Sequence, residues 1–173
     1  MSLVGCASPT EVSMNDKLVL ARLEIPEHTL LLYEYMVLND PDRTGNWRFM
    51  FNQEGCFFNA RNRQLWLTDK TEFESNDPAL FWNTPFPAAP DRCLTETQQV
   101  ELVDTIRQID FFSLDSYYPS DSLEDESPPS VERWSVVHGD ERHTVVVESG
   151  AVSPQLVELR TMIDQLVANA PRP

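Results

Sequence analysis

Alternating apolar and polar positions in the first part of the chain predict a run of short strands. Asn52-Gln53-Glu54-Gly55 reads as a tight turn between two of them, because Gly55 is free to adopt a positive φ. The predicted strands are Lys17 to Ile25, Thr29 to Leu38, Trp47 to Phe51 and Cys56 to Asn59, and Leu65 to Leu67 is a candidate extension of the same sheet.

Apolar residues spaced three and four apart predict two helices in the second half of the chain. Thr95 and Gln98 have the spacing of a capping box, so the first helix begins at Thr95, and it ends near Asp110. Ser153-Pro154 begins the second helix, with Ser as the cap and Pro at the first helical position. The predicted buried stripes are Val100, Leu102, Val103, Ile106 and Ile109 in the first helix and Leu156, Leu159, Ile163 and Leu166 in the second.

The remaining segments complete the predicted architecture. Four prolines make the stretch from Glu74 to Cys93 irregular, whereas Val131 to Val137 and Arg142 to Glu148 form a hairpin. The order of elements predicts an α+β domain over residues 17–170, with an antiparallel sheet of about six strands and two helices packed on one face.

Composition narrows the class of protein. The chain has 173 residues, of which 41% are hydrophobic, so it has enough apolar material for one domain with its own core. It carries 13 Lys and Arg against 28 Asp and Glu, a formal net charge of −15, which argues against binding to nucleic acid. No apolar run approaches the ~20 residues that a membrane-spanning helix needs.

The N-terminal stretch Leu3-Val4-Gly5-Cys6 resembles a bacterial lipobox, the recognition site of lipoprotein signal peptidase. The resemblance implies that Cys6 carries a lipid and becomes the first residue of the mature protein. Polar residues dominate from Ala7 to Asp16, so residues 1–16 are expected to form a disordered tether or the remnant of an export signal. A basic and an apolar region do not precede Cys6, an absence that a trimmed signal would explain.

The cysteine count fits an exported protein. The chain has three cysteines, and two remain once Cys6 is set aside. A disulfide between Cys56 and Cys93 would close the Pro-rich segment into a loop, with a stabilisation of about 3–4 kcal/mol. The alternative is two separate buried thiols, because free Cys behaves as a small apolar residue.

Three aromatic residues in the Pro-rich segment, Phe81, Trp82 and Phe86, are candidate anchors for a protein partner. Large rings on a Pro-stiffened loop bury area at a low cost in conformational entropy. The alternative is that the rings fold back onto their own domain.

The histidines and the acidic loop offer weak candidates for chemistry. His138 and His143 flank the hairpin turn and face each other only if the loop has four residues; a turn at Gly139-Asp140 pairs His138 with Glu141 instead. His28 reads as an exposed turn residue. The acidic loop with Asp121, Glu124, Asp125 and Glu126 lacks the ligand pattern of a calcium site. We predict no metal, cofactor or catalytic residue.

The stretch from Leu94 to Val167 resembles the C-terminal half of small uncharacterised domains found in exported bacterial proteins. The resemblance rests on the capped helix, Asp110-Phe111-Phe112, the Val145-Val146-Val147 strand and the helix that begins at Pro154. The expected function is that of a lipid-tethered, non-enzymatic domain that binds a protein or an envelope component. It would be held to the membrane of the bacterial cell envelope, facing the periplasm or the exterior. The alternative is a hydrolase or metal-dependent enzyme with an unrecognised site.

Overall fold

The structure is a computed structural model, and it describes residues 20, 23–37, 45–63, 82, 84–120 and 130–172. Two helices, α1 (Glu96–Gln108) and α2 (Pro154–Asn169), accompany seven strands within these residues. The strands are β1 (Thr29–Val37), β2 (Trp47–Asn52), β3 (Cys56–Arg61), β4 (Arg92–Cys93), β5 (Tyr117–Tyr118), β6 (Ser130–His138) and β7 (Glu141–Glu148). None of the helices described is long and apolar enough to cross a membrane.

One sheet of seven strands has the order β4-β3-β2-β1-β6-β7-β5. All neighbours are antiparallel except β5 and β7, which are parallel. The predicted α+β class is therefore confirmed, with one strand more than the six expected. The structure adds β4 and β5, which have two residues each and are too short to show an alternating pattern, and it lacks the strand predicted from Lys17 to Ile25. The predicted extension at Leu65 to Leu67 lies outside the described residues.

The predicted strand from Lys17 to Ile25 is wrong at the residues that the structure describes. Leu20 is helical, and residues 23–25 have no strand conformation. The reason lies in the sheet itself, because β1 is already paired with β2 on one side and with β6 on the other. Leu20 instead packs on Met36, Val131 and Val146, on the sheet face away from α1 and α2.

The two helices cover the opposite face of the sheet, as predicted. Seven of the nine residues in the predicted stripes are at most 6% exposed: Leu102, Ile106, Ile109, Leu156, Leu159, Ile163 and Leu166. Val103 is half-buried against the same core, but Val100 is 55% exposed, so its place in the stripe was wrong. Val100 precedes Leu102 by two positions, or about 200° around the helix, and so faces solvent.

The starts of the two helices and the turn of the hairpin are determined by residues close together in the sequence. Thr95 and Gln98 form the predicted capping box of α1. Pro154 occupies the first turn of α2 as predicted, but the Ser153 side chain bonds Gln155 rather than a backbone amide. The hairpin turns at Gly139-Asp140, where Gly139 has a φ of 62°, and His138 is therefore the register partner of Glu141.

Candidate functional site

The two cysteines outside the N-terminal segment form a disulfide. Cys56 and Cys93 are register partners on β3 and β4, and their Cα atoms lie 4.0 Å apart. The predicted pairing is thus confirmed, and it ties the Pro-rich segment to the sheet just before α1 begins. Cys6 lies outside the described residues.

Two of the three candidate anchor rings contact a single arginine of their own domain. The guanidinium of Arg48 lies between Trp82 and Phe86, with its carbon 4.5 Å and 4.4 Å from the two ring centroids. The same group donates a hydrogen bond to the Thr84 carbonyl at 3.2 Å. Both rings remain partly exposed, so their binding to a partner stays a prediction; Phe81 lies outside the described residues.

Arg48 belongs to a buried row of charges on the sheet face away from α1 and α2, which we call the second face. Glu34 on β1 is the register partner of Arg48 on β2 and of Arg133 on β6. Arg133 Nη1 lies 2.6 Å from Glu34 Oε2, and Arg48 Nη1 lies 3.7 Å from Glu34 Oε1. Arg133 also donates to the Leu23 carbonyl at 3.0 Å, which holds the segment before β1 against the sheet.

Burial governs the ionisation of this row. Removal from water raises the pKa of Glu34 above its usual value, while Arg133 and then Arg48 oppose the rise. Removal from water likewise lowers the pKa values of both arginines, and Glu34 opposes that fall. Glu34 and Arg133 are 2% and 1% exposed, so the row is a structural device rather than a surface site.

His138 and His143 contact different groups and do not form a joint site. His138 Nε2 lies 3.0 Å from Arg107 Nη2, whereas His143 Nε2 lies 2.8 Å from the Leu114 carbonyl oxygen. His28 is exposed, as expected, and its φ is 60°. No group of three or more His, Cys, Asp or Glu within the described ranges could hold a metal ion. The acidic loop at 121–126 lies outside those ranges.

A cleft that the sequence did not reveal opens on the helix side of the sheet. It has a volume of about 420 Å³ and lies between the N-terminal half of α2, the loop at 149–153 and the ends of β1, β6 and β7. Tyr35, Glu132 and Trp134 line it from the sheet, and Leu156, Val157 and Arg160 line it from the helix. We call it the helix-side cleft.

Glu132 is held in place at the sheet side of this cleft. It accepts a hydrogen bond from the Trp134 indole N–H at 3.1 Å. Burial raises the pKa of the Tyr33 hydroxyl well above its usual range, and the nearby Glu132 carboxylate adds to the rise while Arg160 opposes it. Glu132 and Arg160 therefore both lie near the Tyr33 hydroxyl.

Arg160 crosses from α2 onto the aromatic surface of the sheet. Its guanidinium carbon lies 4.6 Å from the ring centroid of Tyr33, 4.9 Å from Trp47 and 5.7 Å from Phe49. Its Nε lies 3.6 Å from Asp164, whose side chain is 71% exposed. Arg160 is thus directed towards its own aromatic rings, and its contact with a carboxylate is long.

Glu148 borders the cleft at the end of β7, but its carboxylate lies on the sheet face away from the helices, where its register partner Val131 also packs. Its Oε1 accepts a hydrogen bond from the Tyr117 hydroxyl at 2.5 Å, and its Oε2 accepts one from the Ser120 amide at 2.8 Å. At the rim, Val152 and Val157 are 73% and 57% exposed. The cleft therefore combines fixed charges, an aromatic floor and an apolar rim, a composition suited to ligand binding.

Two positions in the sequence could have indicated this cleft. In β6 the positions of Trp134 and Val136 face the helices, and Glu132 shares that face by strand alternation. Arg160 likewise lies four positions after the buried Leu156, on the same face of α2. A charged residue at an inward-facing position marks an unusual environment.

No known family model matches this chain, and no curated protein matches its sequence.

Proposed function

We propose that this protein is an exported, lipid-anchored, non-enzymatic domain that binds a protein or another component of the bacterial cell envelope. Cys6 would carry the lipid, residues 7–16 would form the tether, and the folded domain would face the periplasm or the exterior.

The observation that carries the proposal is the Cys56–Cys93 disulfide. Structural disulfides persist in oxidising compartments, which favours export. Since the chain has three cysteines, the bridge leaves Cys6 as the only one outside it, within the stretch that resembles a lipobox. An odd cysteine in an exported protein calls for a separate role, and lipidation supplies one.

The helix-side cleft supports the binding part of the proposal. It is concave, its Glu132 carboxylate is held by the Trp134 indole N–H, and its rim carries two exposed valines. Concave sites with an apolar lining and a few placed polar groups are typical of binding sites.

The test is membrane fractionation of the protein expressed from its native gene in a bacterial host. We expect the wild-type protein in the membrane fraction, released by detergent, and labelled by a radioactive fatty acid. Cys6→Ser should lose the label and leave the membrane, whereas the matched variant Ser8→Ala should behave as the wild type. A wild-type protein that takes up no label and stays in the soluble fraction would overturn the proposal.

A further inference from the structure

We propose that a pocket at the edge of the sheet binds a short free peptide, extended parallel to β3, with its ammonium group at Asp91 and its carboxylate at Arg61 and Arg63. The pocket has a volume of about 750 Å³ and lies between β3 and the Pro-rich segment at 84–91. We call it the edge pocket. The inference names a ligand for the proposed binding role and rests on that role, but it does not depend on the lipid anchor.

The Pro-rich segment is attached to β3 at two points and leaves a gap between them. Thr84 Oγ1 accepts a hydrogen bond from the Arg63 amide at 3.2 Å, and the Asp91 amide donates one to the Phe57 carbonyl at 2.9 Å. Three of the six residues at 85–90 are prolines, which have no amide N–H to offer the strand. The segment therefore passes β3 without completing the sheet.

The backbone groups of Asn59 and Arg61 face this gap. Successive residues of a strand direct their N–H and C=O groups alternately to its two sides. The Asn62 amide bonds the chain just before β2, whereas the Phe57 carbonyl and the Arg63 amide bond the Pro-rich segment. Asn59 and Arg61 lie at the odd positions between these last two and so face the same way. No hydrogen bond in the described part of the chain joins their backbone groups to the Pro-rich segment, so each offers an N–H and a C=O to an added peptide strand.

The two attachments restrict the occupant to a short chain. A strand rises about 3.3 Å per residue, so β3 advances about 20 Å from Phe57 to Arg63. An extended peptide that lies between the two attached points has about three to five residues, and a longer chain would have to pass them. The edge pocket therefore favours a free peptide over a segment within a folded partner protein.

Charges at the two ends of the edge pocket favour one direction of the peptide. Asp91 lies at the end near Phe57, and Arg61 and Arg63 lie towards the other end. The ammonium and carboxylate groups of a free peptide that runs parallel to β3 each meet a side chain of opposite charge. Such a peptide has no net charge, so the formal charge of −15 on the whole chain does not repel it.

The test is a titration of the full chain with trialanine, followed by amide NMR spectroscopy. The amide resonances of Asn59 and Arg61 report on the edge pocket, because their N–H groups face it. We expect both to shift with a Kd of about 1 mM or below. Trialanine acetylated at one end and amidated at the other keeps the backbone groups but loses both charges, and it should bind at least about tenfold more weakly. A peptide of about ten residues with three alanines at its centre should not bind, because the attachments leave no room for it.

Two variants separate the edge pocket from the general acidity of the chain. Asp91→Asn removes the charge that meets the ammonium group and keeps the amide that bonds Phe57. It should weaken trialanine binding about fivefold or more, but leave the Kd for N-acetylated trialanine within about twofold. Asp115→Asn removes the same charge from an exposed position outside the pocket and should leave both Kd values within about twofold. Thermal unfolding of both variants checks that the fold is kept.

Four results would overturn the inference: no shift of the Asn59 and Arg61 resonances with trialanine, equal affinity for the doubly capped peptide, binding of the longer peptide, or an unchanged trialanine Kd in Asp91→Asn. Failure of the lipid anchor would be visible separately, since Cys6→Ser in the fractionation experiment leaves this titration untouched.

Discussion

The buried row Arg48–Glu34–Arg133 provides the sharpest test of how the second sheet face is held. Glu34→Gln preserves the shape of the side chain and removes its charge, which leaves two arginines without their carboxylate. Breaking a buried ion pair by removing one partner typically costs about 3–5 kcal/mol. The value applies here because Glu34 is 2% exposed and Arg133 is 1% exposed, so water does not replace the lost partner.

Equilibrium unfolding in urea, followed by tryptophan fluorescence, measures this loss without screening the charges. With a denaturant dependence of about 2 kcal/mol per M, the midpoint should fall by roughly 1.5–2.5 M. Glu54→Gln is the matched control, because it removes the same charge from an exposed turn and should change the free energy of unfolding by less than about 0.5 kcal/mol.

A double variant tests the reason for the loss. Glu34→Leu combined with Arg133→Met removes both members of the closest pair, so only Arg48 is left without its carboxylate. We expect it to be less destabilised than the sum of the two single variants, by about 1–3 kcal/mol. Additive losses, or a loss below about 1 kcal/mol in Glu34→Gln, would refute the argument that this carboxylate neutralises buried arginines.

Three further predictions concern the remaining supports of the fold. Cys56→Ser with Cys93→Ser should lower the free energy of unfolding by about 3–4 kcal/mol, and reduction of the wild type should lower its midpoint similarly; an unchanged midpoint on reduction would contradict this. Leu159→Ala should lower the free energy of unfolding in urea by about 2–5 kcal/mol, whereas Val157→Ala, at an exposed position, should lower it by less than about 1 kcal/mol. Equal decreases in the two variants would contradict the burial of Leu159 in the core. The fold raises the pKa of Tyr33, so the stabilisation that the neutral hydroxyl provides is present below its unfolded pKa of about 10 and is lost as pH rises above that value. In Tyr33→Phe the free energy of unfolding should therefore decrease less steeply with alkaline pH, by up to about 1.4 kcal/mol per pH unit. An identical decrease in the wild type and the variant would contradict the assignment.

The helices and the hairpin were predictable because their determinants are local. The apolar spacing of α2 and the turn residues Gly139-Asp140 specify structure within a few positions of the sequence. The capping box of α1 is equally local, since it needs only Thr95 and Gln98.

The strands at the two edges of the sheet were not predictable in the same way. Each of β4 and β5 has two residues, so each depends on a partner elsewhere in the chain rather than on its own pattern. The loose alternation from Lys17 to Ile25 led to the opposite error, because it predicted a strand where the described residues form none. Alternation alone does not make a strand when both edges of the nearest strand are already occupied.

The helix-side cleft joins side chains that are far apart in sequence. Tyr35 and Glu132 become neighbours only when β1 pairs with β6, and Arg160 approaches them only when α2 packs on the sheet. Sequence could have flagged Glu132 as a charge on an inward-facing position. It could not show that Trp134 holds that carboxylate or that the loop at 149–153 leaves a cleft beside it.

The two faces of the sheet divide the proposed roles between them. Arg133 donates hydrogen bonds to the backbone carbonyls of Leu23 and Glu24, so this segment lies against the second face, where Leu20 also packs. The 14 residues from Cys6 to Leu20, which packs on this face, could reach at most about 50 Å if extended. The helix-side cleft lies on the opposite face of the same sheet. A lipid at Cys6 would therefore draw the second face towards the membrane, while the net charge of −15 would keep the domain from lying flat on an anionic leaflet. Anchoring and binding would then use separate surfaces, and a partner could reach the helix-side cleft without displacing the tether.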